Sequence, residues 1–145
     1  MSRGHRAGER GQALVETALV LPIFFLFLFG ICDFGFGFFS QMTVMNAAQE
    51  AAHAASIHPD PPTMASIAEA RARASAMVLS VADLTVDAPV CVPVVSTTCN
   101  LAAVGGSQRG DVVQVTVSYL YRPFFPLLLG RTTITLTSTA QATIQ

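Results

Sequence analysis

An α+β architecture is expected for this chain. An N-terminal membrane-spanning helix should continue into an outer domain with a second helix and a small antiparallel sheet of about three strands. Three observations predict it. Residues 13–32 form an apolar run with a single charged residue, Glu16. Residues 41–57 and 63–80 carry alanine-rich patterns with helical spacing. From Val81 onward the apolar period changes to two, the period of a strand.

Composition agrees. A chain of 145 residues holds one soluble domain at most once part of it is spent on a membrane. Charged residues make up 12%, against about 25% in an ordinary globular domain, as expected of a chain partly solvated by lipid. The net charge of −1 gives no electrostatic footprint for nucleic acid, and no such partner is expected.

The apolar run comes first. Its twenty residues would span about 30 Å as a helix, the thickness of a hydrocarbon core. Pro22 lies inside it, and proline is better tolerated in a helix in lipid than in water. Arg3, Arg6 and Arg10 precede the run, whereas residues 33–58 contain no Lys or Arg. The positive-inside rule therefore places the N-terminus in the cytoplasm and the C-terminal part outside. A cleaved secretory signal would end in small residues, but the run leads into the bulky FGICDFGFGFF. A charge inside a span costs roughly 2.5–3.5 kcal/mol at the centre and less near an end. Glu16 is therefore a functional candidate; the bland alternative is that it snorkels to the cytoplasmic headgroups.

Asp33 marks the outer interface. Gly35 and Gly37 punctuate a Phe-rich patch, residues 34–39, expected either at headgroup level or at a bend. Residues 41–57 then read as a helical continuation of the span. Met42, Met45, Ala48, Ala52 and Ala55 fall on one face, and HPDPP at 58–62 stops the helix. Thr63 is a plausible N-cap of the second helix. Its apolar stripe is Met64, Ile67, Ala68 and Ala74, interrupted by Arg71, with Glu69 and Arg73 paired at i,i+4. Residues 81–95, 111–121 and 132–144 read as three strands, separated by the turn-rich stretches 97–110 and 122–130. A meander packed on helices is the economical arrangement. Cys91 and Cys99 fall in the exported part at a spacing that suits a disulfide. A metal pair would need a second Cys pair or a nearby His. Cys32, at the membrane edge, reads as a small apolar residue.

No pattern for catalysis, cofactor or metal binding is recognised. Glu50 and His53 form a lone E-x-x-H where a bundle di-iron site needs two, with two further glutamates. Asp33-Phe34-Gly35 matches a kinase tripeptide without a catalytic loop and reads as chance. Asp83, Asp87 and Asp111 are dispersed and read as turn or strand-edge residues. Gly105, Gly106 and Gly110 around Arg109 read as a hairpin loop, because no helix start follows. No enzyme is expected.

The N-terminal block resembles the TadE-like family of pseudopilins from tight-adherence (Flp-type) pilus systems. Arg10-Gly11-Gln12-Ala13, Val15-Glu16, residues 18–22, Phe29-Gly30, Asp33-Phe34-Gly35 and Asn46-Ala47-Ala48 carry the likeness. Residues 132–143 are similar to the family's Thr/Ala-rich last strand. The resemblance implies a pilin-like outer domain and a prepilin-like leader. A prepilin peptidase would cut between Gly11 and Gln12, making Glu16 the fifth mature residue. Gln12 stands where classical type IV pilins have phenylalanine. The implied division is a leader at 1–11, a transmembrane helix at 12–36 and an extracytoplasmic domain at 37–145. The implied partners are the peptidase, other pilin and pseudopilin subunits, the assembly machinery and membrane lipid. The implied location is the inner membrane, single-pass, with the pilus as a further destination. The new ammonium of Gln12, in the same or a neighbouring subunit, could pair with the Glu16 carboxylate and set helix register. Two rival readings stand beside this one: a membrane-tethered binding or adhesion domain that never enters a pilus, and a membrane enzyme with an unrecognised site.

Overall fold

The computed structural model describes residues 5–57, 61–92, 94, 109–126 and 130–145. In chain order the elements are α1 (His5–Ile57), α2 (Pro61–Ser75), a 3-10 turn (Val81–Asp83), β1 (Leu84–Val86), β2 (Val90–Val92), β3 (Val112–Tyr121) and β4 (Ile134–Thr143). The expected α+β arrangement is present, with four strands among the described residues where about three were expected.

Helix α1 is unbroken over 53 residues, about 80 Å at 1.5 Å per residue. It passes through Pro22, Gly35 and Gly37, so the Phe-rich patch is helical rather than a bend in secondary structure. Its stretch from Gly11 onward is apolar and long enough to cross a membrane. Residues 11–29 are all exposed, and Asp33 is the first buried residue after them. The C-terminal domain begins to pack on the helix near Gly30 and Asp33.

The C-terminal half of α1 forms the middle layer of the C-terminal domain. Helix α2 covers one side of it, and β3 and β4 cover the other. A helix covered on two sides needs small residues if its neighbours are to approach to the usual 8–10 Å. Alanine supplies them while keeping helix propensity high. Ala47, Ala48, Ala51, Ala52 and Ala55 are buried, with Val44 beside them. Met42 and Met45 are exposed, contrary to the expected stripe. The periodic face was read correctly at Ala48, Ala52 and Ala55, but the bulky methionines lie outside the tight contact. The polar residues of this segment satisfy themselves locally. The hydroxyls of Ser40, Thr43 and Ser56 donate to the carbonyls of Phe36, Phe39 and His53 at 2.8, 2.9 and 2.8 Å.

Helix α2 begins at Pro61, ahead of the expected cap at Thr63. Proline suits a first turn, where its missing N–H would have had no helical partner. The buried stripe is Met64, Ala68 and Ala72, continued by Ala76 just past the helix; Ile67 is half-buried, and Arg71 and Ala74 face solvent. Glu69 and Arg73 form the expected surface pair.

In the sheet, β4 pairs antiparallel with β3 over its whole length, from Val112↔Thr143 to Tyr121↔Ile134. Strands β1 and β2 therefore share the other edge of β3. Val86 faces Val117 and Val90 faces Gln114, so residues 87–89 oppose only 115 and 116. That is a one-residue bulge. Pro89 lies in the bulge, where a residue without an N–H is tolerated. The expected single strand at 81–95 is thus one bulged edge: two short strands behind a 3-10 turn. Val113, Val115 and Val117 of β3 point to α1 and are fully buried. Opposite them, β4 presents Ala142, Ala140 and Ser138, small enough for α1 to lie close. The outer face is polar, with cross-strand hydrogen bonds between Thr116 and Thr139 (3.1 Å), Ser118 and Thr137 (3.2 Å), and Gln141 and Gln114 (2.9 Å).

Ala51 has no exposed surface, so Ala51→Leu should lower stability by about 1–3 kcal/mol through overpacking. Met45→Leu, at an exposed position, should be close to neutral. Thermal unfolding of the two variants in the same detergent measures the difference, and equal midpoints would contradict the close three-layer packing.

Candidate assembly surface and membrane-edge clamp

The chain carries two carboxylates near opposite ends of the apolar run, and the structure treats them differently. Glu16 lies on the exposed part of α1, in a shallow depression it shares with Thr17, Val20, Leu21 and Phe24. Thr17 closes its own hydroxyl onto the Ala13 carbonyl at 2.8 Å. Among residues with described side chains, Glu16 has no ion-pair partner; the two pairs present are Glu69–Arg73 and Asp83–Arg122. A carboxylate in this setting can be neutralised by headgroups or by a cation from another subunit. Gly11 and Gln12 are exposed on the same helix, and a Cβ at Gly11 would meet nothing within 4 Å.

Asp33 is only 5% exposed. Its Oδ1 accepts a hydrogen bond from the Tyr121 hydroxyl at 2.6 Å and another from the Phe124 N–H at 3.2 Å. Its Oδ2 accepts from the Phe125 N–H at 3.4 Å. The Tyr121 hydroxyl also lies 3.0 Å from the Asp33 backbone carbonyl. One side chain of α1 thus holds the end of β3 and the first residues of the loop that follows. Aromatic contacts complete the join: Phe125 stacks on Phe29 with centroids 4.8 Å apart, and Phe124 meets Phe36 at 5.6 Å. Arg122 pairs with Asp83 at 2.9 Å and ties the same corner to the 3-10 turn.

Burial, then the hydrogen bond to Asp33 and its negative charge, push the Tyr121 phenol above its ordinary ionisation range. The phenol stays neutral and remains a donor.

The remaining sequence candidates are dispersed. Glu50 and His53 are exposed on α1, and no cluster of metal-binding side chains occurs among the described residues. Asp87 donates its backbone N–H to Thr116 at the bulge (2.9 Å), and buried Asp111 accepts from the Val94 N–H at 3.1 Å. Cys32 is a free, exposed thiol. Cys91 is half-buried on β2, while Cys99 lies outside the described residues, as do Gly105 and Gly106. The clamp on Asp33 was missed by sequence reasoning, which took the tripeptide at 33–35 as chance. The available signal was a carboxylate closing an apolar run, with an aromatic SYLYRPFF segment far downstream. Nothing in the sequence linked the two.

This site defines a class: a long apolar helix shared between a bare segment and a small clamped C-terminal domain. Residues 11–53 match the family model described as TadE-like protein. The match covers the apolar run, Glu16, Asp33 and most of the alanine-rich half of α1, in agreement with the resemblance carried by those residues. No curated protein matches the chain, and no solved structure does.

Tyr121→Phe should remove the shortest clamp hydrogen bond and cost about 1–3 kcal/mol, the usual penalty for leaving a buried polar group short of a partner. Because the folded-state phenol ionises above its unfolded value, its contribution is complete below about pH 10 and declines as pH rises further. Urea titrations from neutral to alkaline pH should show a steeper loss for the native chain than for Tyr121→Phe. Parallel losses would mean that Tyr121 ionises freely.

Proposed function

We propose that this chain is a minor pilin-like subunit of a tight-adherence (Flp-type) pilus or secretion system. It is stored in the cytoplasmic membrane with its outer domain outside, matured by a prepilin peptidase between Gly11 and Gln12, and recruited to other subunits through its apolar helix. One observation carries this reading: a fully exposed apolar helix segment bears Glu16 on its surface, within the segment that matches the TadE-like model. A helix in lipid gains little from further apolar contact, so packing detail and polar pairing decide association. Cleavage would create an ammonium on Gln12 four residues from Glu16, and that charge, in the same or a neighbouring subunit, is the natural partner for the carboxylate. Outside the cytoplasm, Cys91 and Cys99 would be bridged. The role is structural rather than catalytic.

Intact-mass measurement on membranes containing the peptidase should find a chain that starts at Gln12. A chain retaining residues 1–11 would reject maturation at this bond. Gly11→Leu should leave the precursor uncut.

Glu16→Gln should insert into membranes normally yet give a lower cross-linking yield to pilin partners at equal membrane levels. Glu16→Asp, with the charge kept and the reach shortened, should be intermediate. Equal yields for all three forms would remove the assembly role of Glu16 and favour a tethered outer domain that stays out of the filament.

A further inference from the structure

The loop after β3 begins Arg122-Pro123-Phe124-Phe125, and its two phenylalanines remain 68% and 38% exposed. We propose that this loop is a second membrane contact, in which Phe124 and Phe125 enter the outer leaflet of the bilayer that α1 crosses, at a depth set by Asp33. The occupant of this surface is lipid. The inference rests on reading α1 as a span.

Three observations place the loop there. The first is depth. Phe125 stacks on Phe29, which precedes Asp33 by four residues, about 6 Å further into the membrane along the helix. Phe29 belongs to the apolar run at 13–32, so a ring lying on it reaches the edge of the hydrocarbon. The second is continuity. Phe25 stacks on Phe29 at 5.7 Å and Phe29 on Phe125 at 4.8 Å, so the loop extends the aromatic surface of the span itself. The third is hydrogen bonding. Backbone cannot enter lipid with unpaired donors, and here the N–H groups of Phe124 and Phe125 both donate to the Asp33 carboxylate. The same contacts cover the carboxylate, so lipid meets rings rather than charge. Arg122, two residues before Phe124 and exposed, pairs with Asp83 and supplies a polar group for the headgroup layer. In segments that lie at a membrane surface, arginine stays at headgroup level while phenylalanine lies on the acyl side.

The chain has no tryptophan, so a single Trp reports its own surroundings. Full-length Phe125→Trp would be reconstituted into phosphatidylcholine–phosphatidylglycerol vesicles. Its emission should be blue-shifted, lost when the lipids are brominated on the upper acyl chain, and retained against aqueous iodide. Phe124→Trp, which leaves the Phe29 stack intact, repeats the test should the first variant fold poorly. Quenching by iodide and not by brominated lipid would put the loop in water and overturn the proposal. Quenching by neither would mean that protein, such as a second copy, covers the loop, and would equally overturn it. Phe24→Trp, inside the apolar run, separates the two levels of the argument. If it too escapes brominated lipid, the span reading itself fails; if it is quenched while the loop reporters are not, only the loop proposal falls.

Discussion

The carboxylate of Asp33 is buried on α1 at the level where the C-terminal domain begins to pack on an otherwise exposed apolar stretch. A charge at that level would be costly against lipid and unsatisfied against a packed sheet. It is accommodated by three donors from the far end of the chain, the Tyr121 hydroxyl and the N–H groups of Phe124 and Phe125. The same contacts fix the height of the sheet on the helix. Tyr121 ends β3, and β3 is paired along its whole length with β4, so holding one residue holds the register of both strands against α1.

Around that point the helix divides its work by side-chain size. Large apolar residues face outward along the helix as far as Phe39. Buried alanines predominate from Ala47 onward, where α2 and the sheet must both come close. Continuity of the helix makes this division consequential. The helix runs without a break through both parts, and the alanine layer and the Asp33 clamp join the C-terminal domain to it.

Glu16 and Asp33 lie seventeen residues apart on one helix, about 25 Å along its axis. One finds its partners within the fold. The other lies exposed on the apolar segment, with no ion-pair partner among residues with described side chains.

Much of this was legible in the sequence, because it depends on local periodicity. The apolar run, the alanine-rich continuation of α1, the second helix and the strands at 111–121 and 132–144 all announce themselves through spacing and composition. Glu16 stands out because a charge in an apolar run is conspicuous. The helix faces were less legible. Met42 and Met45 share a period with the buried alanines, yet only a three-layer core excludes them. Arg71 lay on a presumed apolar stripe whose true line is Met64, Ala68, Ala72 and Ala76. The bulge at 87–89 emerged only once both flanking segments paired with β3. Periodicity and composition suffice to show a long apolar helix leading into an α+β domain, and to single out Glu16 as a charge in an apolar run. Tertiary structure alone decided that Asp33 is the joint between them, because its donors are 88 to 92 residues away and no local pattern records a contact made across that distance.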